Sequence, residues 1–169
     1  MLILDGTIGS DVSAFLARMH EENSSCTVVM YENWLPTSLK LRKASNNHIS
    51  CNDHDHGHLD GIIYLRVSPE IAYTRIQKRA LETELSISLE HIKQIYAEKE
   101  QLFIENKNSP KEFEHLPILV LNGNIDFQTD FAQFYNHLFY IKRFIKQIQD
   151  KKDLALGIYK EKTHHRHCC

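Results

Sequence analysis

Arg75 and Arg79 stand four residues apart, so on a helix they share one face. A guanidinium is a planar fork of N–H donors, and two of them side by side suit phosphate oxygens. Near the start of the chain, LIL leads into DGTIGSDVSAFLARM. Strand, glycine turn and helix, in that order, aim backbone N–H groups and a helix N-terminus at phosphate. Against the phosphate-loop pattern G-x-x-x-x-G-K-[ST], the residues Gly6, Gly9, Ser10 and Ser13 fit. Asp11 stands where the second glycine belongs, and Val12 where the lysine belongs. Asp11 adds negative charge and gives up conformational freedom, and Val12 removes the cation that reaches the outer phosphates. A third group is CNDHDHGHLDG, where His54, His56 and His58 alternate with Asp53, Asp55 and Gly57. Nitrogen and oxygen ligands so close together suit a divalent metal such as zinc, and the tail HHRHCC repeats the theme. Zinc sites usually draw ligands from separated elements, so a polar surface loop is the main reading and zinc a side reading.

Four apolar runs read as strands that position these groups: Leu2–Leu4, Val28–Tyr31, Ile62–Leu65 and Ile118–Leu121. After the third, Ser68 is placed to cap a helix, with Pro69 at its first position, where a missing N–H costs nothing. That helix carries Arg75 and Arg79. Ser88 is placed to cap the next, in which Ile92, Ile95, Tyr96, Lys99, Leu102 and Phe103 recur at helical spacing. Residues 35–44, after Glu32, Asn33 and Trp34, read as a short helix. After the fourth strand, Asp126 is expected to cap a last helix with the stripe Phe127, Phe131, Phe134, Leu138, Ile141, Ile145 and Ile148. Residues 151–169 carry few large apolar groups and read as a flexible tail.

At 169 residues one domain is the natural expectation, and a hydrophobic share of 42% suffices for its core. A net charge of −2 argues against a general nucleic-acid binder. No apolar run approaches membrane-spanning length. Cys26, Cys51, Cys168 and Cys169 show no disulfide-scaffold spacing, so an intracellular, cytoplasmic protein is expected.

The stretch from Ile62 to Tyr96 resembles the lid region of the deoxynucleoside kinases, a family of P-loop kinases. The family carries YLR-x-x-PE, then R-x-x-x-R, an acidic pair, and Ile-x-Leu-Glu before a helix. Here the parts stand in order as YLRVSPE, Arg75, Arg79, Glu84, Ile87, Leu89 and Glu90. The resemblance implies an α/β fold: a P-loop kinase-like parallel sheet with helices on both faces. It implies transfer of the ATP γ-phosphoryl group to a deoxynucleoside 5′-hydroxyl with magnesium. By the same resemblance Glu32 is the general base, Arg75 and Arg79 clamp phosphate, and Gly6, Gly9, Ser10 and Ser13 hold the nucleotide. Glu84 takes the sugar 3′-hydroxyl, and Asp126 and Phe127 lie in the loop against the adenine. The implied partners are a deoxynucleoside and a nucleotide, with a homodimer left open.

The chain departs from the family in its middle. The segment carrying the substrate pocket and a Glu-Arg-Ser strand is missing, and only 46–59 stand in its place. Leu81 stands where a further lid arginine is usual, and Thr83 replaces the first acid of the pair. Residues 1–150 are therefore expected to form a kinase-like domain without the central segment. The family resembled orders its strands 2-3-1-4-5; with the third missing, the four strands here are expected in the order 2-1-4-5, since an unpaired first strand would strand its backbone groups. Three functions follow: a weak or inactive kinase, a kinase relic that binds or regulates, or a metal-binding protein.

Overall fold

A computed structural model describes residues 2–21, 28–30, 59–84, 86–107, 113–127 and 129–157. The strands are β1 (Leu2–Gly6), β2 (Val28–Met30), β3 (Gly61–Arg66) and β4 (Ile118–Asn122), and the helices α1 (Val12–Glu21), α2 (Pro69–Arg79), α3 (Leu89–Phe103) and α4 (Phe131–Ala155). Every pairing is parallel: β1 with β3 from Leu2↔Gly61 to Gly6↔Leu65, and β3 with β4 from Ile62↔Ile118 to Arg66↔Asn122. Val28–Met30 pairs with the other side of β1, from Leu2↔Val28 to Leu4↔Met30.

Alternation along the strands divides the core between two faces. Leu2, Leu4, Ile63, Leu65 and Leu121 pack with Phe15, Leu16 and Met19 of α1 and with Phe134, Leu138, Ile141 and Phe144 of α4. Ile62 and Tyr64 point the other way, onto Leu102 and Phe103 of α3 and onto Phe113. Helices therefore cover both faces, as a parallel sheet requires. A third cluster, Val67, Ala72, Ile76 and Ile92, joins α2 to α3.

The helix ends differ from expectation in two places. Ser68 has the extended backbone of a cap, but its side chain makes no capping bond. Its N–H instead donates to Asn124 Oδ1 at 2.8 Å, tying the start of α2 to the turn after β4. Asp130, rather than Asp126, caps α4, accepting from the Gln133 N–H at 3.1 Å. The Asp126 carbonyl is occupied by a turn, accepting from Asp130 N–H at 2.8 Å, which sets the helix start four residues later. Phe127 therefore precedes the helix, and Phe131, expected in the buried stripe, is 55% exposed. It lies under the Arg18 guanidinium, 4.3 Å from its ring centroid. Ser88 does cap α3, accepting from His91 N–H at 3.2 Å. α4 runs on to Ala155, past the boundary expected at 150, with Leu154 exposed. The short helix expected over 35–44 and the tail beyond 157 lie outside the described residues.

Candidate functional site

The loop between β1 and α1 is built by close contacts. A Cβ on Gly6 would stand 2.2 Å from Ser10 Oγ. Gly9 has φ +81°, and a Cβ there would meet the Ala72 carbonyl oxygen of α2 at 2.5 Å. Only glycine lets the loop lie so close against that helix. Ser10 N–H closes the turn onto the Thr7 carbonyl at 2.9 Å. Ser10 and Thr7 are buried, and Thr7 Oγ1 has no hydrogen-bond partner among the described residues. Ser13 is exposed on the first turn of α1.

Asp11 follows with φ +57°, a left-handed conformation that favours glycine. Its two carboxylate oxygens face the two arginines of α2. Oδ2 lies 3.5 Å from Arg75 Nε, and Oδ1 lies 3.6 Å from Arg79 Nη1. The shared helix face read from the sequence is thus the face toward the loop.

Each arginine is also held from elsewhere. Arg75 Nη1 donates to the Gly123 carbonyl at 2.9 Å and Nη2 to the Ile125 carbonyl at 2.8 Å. Arg75 thereby ties α2 to the turn that carries Asp126 and Phe127. Arg79 donates to Glu84 Oε2 from Nε at 3.1 Å and from Nη2 at 2.7 Å. Glu84, a candidate for a sugar hydroxyl, is here the partner of a guanidinium. Asp126 is exposed, whereas Phe127 is buried edge-on against Phe15, with centroids 4.7 Å apart. Arg18 of α1 donates to the Phe127 carbonyl and holds this turn from the other side. His137 of α4 is buried beneath it, with Nδ1 against the Gln133 carbonyl at 2.7 Å and Nε2 against the Asn122 carbonyl at 2.9 Å. Glu32 and the histidines His54, His56 and His58 lie outside the described residues. Among the described residues no three His, Cys, Asp or Glu side chains gather as a metal site.

Two polar clusters lie beside the loop, one of them built on Tyr64 and Arg66 of the YLRVSPE stretch. Asp5, at the end of β1, is buried and bonds both carboxylate oxygens to Lys99 Nζ of α3, at 2.7 and 2.6 Å. It also accepts from the Gly6 N–H at 2.7 Å, so the pair fixes the residue where the loop begins. Glu100, the next residue on α3, gathers Arg66, Tyr96 and Tyr64 at the end of β3: Arg66 donates to Glu100 and to Tyr96, and the Tyr64 hydroxyl donates to Glu100 at 3.3 Å. Burial pushes the Tyr64 phenol pKa far up, and the Glu100 charge adds to the shift, so its proton stays on. Lys99 was legible as a member of the recurring stripe of α3, but nothing in its spacing pointed to Asp5.

The site therefore joins a glycine loop, two arginines of α2 and the turn after β4 at the carboxyl ends of a parallel sheet, where such folds bind ligands. The family model for deoxynucleoside kinase matches residues 2–148. The chain is similar to deoxycytidine kinase 2 of Gallus gallus, 41% identical over 75 residues that make up 43% of this chain and 28% of that protein. It is similar to the probable deoxycytidine kinase of fowlpox virus, 25% identical over 134 residues, 76% of this chain and 49% of the relative. The mitochondrial deoxyguanosine kinase of Xenopus laevis is 34% identical over 77 residues, 44% of this chain and 29% of that protein. The matched stretches thus span about a quarter to a half of these relatives' lengths. A glycine loop facing two helix-borne arginines, inside a match that runs from the first strand to the last helix, places the chain in the deoxynucleoside kinase family.

Proposed function

We propose that this chain is a deoxynucleoside kinase of weak turnover, acting on ATP and a deoxynucleoside. The observation that carries the reading is the convergence of Arg75 and Arg79 on the loop, one guanidinium on each oxygen of residue 11. In the reaction a 5′-hydroxyl oxygen bonds to the γ-phosphorus, the bond to the bridging oxygen breaks, and ADP leaves. Glu32, which follows the second apolar run in the sequence, is the carboxylate to which the hydroxyl proton passes. Arg79 carries phosphate charge, and Arg75 supplies charge while holding α2 to the adenine-side turn of Asp126 and Phe127. Glu84 holds the sugar 3′-hydroxyl, exchanging its bond to Arg79 for one to the substrate. Gly6, Gly9 and Ser10 shape a loop that backbone N–H groups line. Magnesium, when bound with the nucleotide, offsets phosphate charge, and no residue of this chain is assigned to it. The order β2-β1-β3-β4 is part of the proposal, supported by the pairing of Val28–Met30 beside β1.

Weak turnover follows from two residues. The loop keeps its glycines, but Asp11 adds negative charge and Val12 stands where a cation belongs. Taking away one charge-assisted hydrogen bond costs about 1.5–3 kcal/mol, roughly ten- to a hundred-fold in affinity. A second reading, a family member that binds without catalysing, is favoured by one observation: both arginines are already held by groups of the chain.

The test is ATP-dependent phosphorylation of the four natural deoxynucleosides by the purified full-length chain. Slow product formation, rising in Asp11→Gly with Val12→Lys, supports the kinase. Nucleotide binding without product, in both proteins, selects the binding module.

A further inference from the structure

The donors that the two arginines leave over single out one place. Arg75 has given Nη1 and Nη2 to the carbonyls of Gly123 and Ile125, and Arg79 has given Nε and Nη2 to Glu84. The nitrogens not so used are Arg75 Nε and Arg79 Nη1. These two face Asp11, each toward a different carboxylate oxygen, at 3.5 and 3.6 Å. An anion bridging two guanidiniums through separate oxygens is the arrangement a phosphate takes between a pair of arginines.

The backbone supports the same assignment. A residue ending a glycine loop in the left-handed region is at least cost when it is glycine. Here that position carries a carboxylate at φ +57°. Capping of α1 does not account for the side chain, because its oxygens are directed at α2 rather than at the N–H groups of α1. The Asp11 carbonyl meets the helix instead, accepting from Phe15 N–H at 2.9 Å.

We infer that the Asp11 carboxylate is an internal substitute for phosphate, which occupies the seat between Arg75 and Arg79 and competes with any polyphosphate for it. The inference rests on the proposed phosphate-binding role of this loop. It goes further in making the block a specific intramolecular contact rather than diffuse repulsion. The loop and α2 are then latched together by the chain's own anion. A ligand must displace Asp11 before it gains either arginine.

The experiment is calorimetric titration of inorganic tripolyphosphate, without magnesium, into the full-length chain. Asp11→Asn keeps the size of the side chain and a residue tolerant of the left-handed region, while removing the charge. Asp11→Gly serves as a second variant that suits the same backbone. Either is expected to bind tripolyphosphate about ten-fold more tightly than the natural chain. The gain is expected to vanish when Arg79→Gln is added. Equal, measurable affinity in the natural chain and both variants would overturn the latch and leave the phosphate site standing. A gain of the same size in the Arg79→Gln background would overturn it too, since the effect would then be general charge. Absence of binding in all of them would overturn both the latch and the phosphate reading beneath it.

Discussion

Asp5 and Lys99 lie with side chains only 4% and 10% exposed, so neither charge has water to fall back on. Removing one partner of such a pair leaves the other desolvated and unpaired, which costs about 3–5 kcal/mol. Lys99→Met is expected to lower stability by that order in urea denaturation. Adding Asp5→Leu is expected to recover most of the loss, because two apolar groups fill the space without an orphaned charge. A single variant as stable as the natural chain would show that the carboxylate reaches water by another route. The sequence displayed one half of this pair, since Lys99 falls on the recurring positions of α3. The other half was hidden, because Asp5 meets Lys99 only after β1 and α3 are stacked across the sheet. Arg75 and Arg79 were legible in the same partial way. Their spacing fixed a common face, whereas their bonds to Gly123, Ile125 and Glu84 depend on where distant turns come to rest.

The strands and helices were legible because each carries its own signal: apolar runs for β1, β3 and β4, and helical spacing for α3 and α4. Of the expected caps, Ser88 makes its bond, whereas Ser68 only takes the cap's backbone. At α4 two aspartates stood four apart, and tertiary placement of the turn chose Asp130. Asp130→Ala is expected to cost about 1 kcal/mol by thermal or urea unfolding, and Asp126→Ala clearly less if capping is the only role compared. The reverse ranking would return the cap to Asp126. At the loop, Gly9→Ala combines a positive φ with a Cβ 2.5 Å from the Ala72 carbonyl. It is expected to destabilise the chain by about 1–3 kcal/mol and to loosen α2 in hydrogen exchange. Unchanged exchange across α2 would mean that the contact is not needed to seat the helix.

Across the whole molecule, Lys152 near the end of α4 bonds Asp60, just before β3, at 2.6 Å. Burial opposes ionisation of Asp60, and the hydrogen bonding and charge around it, Lys152 included, outweigh burial and hold its pKa below 3.8. A carboxyl lowered on folding adds stability above its unfolded pKa and loses it as pH falls through the folded value. The natural chain is therefore expected to be more stable than Lys152→Ala near pH 7, by under about 1 kcal/mol for a pair whose lysine is half exposed. That advantage is expected to fade below about pH 3.8. A difference that persisted there would point to packing of the lysine stem. The histidine clusters call for a separate check. A chelator is expected to leave the melting temperature unchanged, and metal analysis of untagged protein to find substoichiometric zinc; a bound equivalent lost in His54→Ala would restore the metal reading. The pairing of Leu2 with Gly61 has a kinetic side. β3, α2, α3, β4 and α4 follow one another closely and can begin to collapse among themselves, whereas the β3 edge of β1 must wait for a strand far along the chain. During synthesis Leu2, Ile3 and Leu4 leave the ribosome long before Ile62 and Ile63 exist, so until the second half arrives this apolar strand can pair only through Val28–Met30 and its other edge waits unpaired.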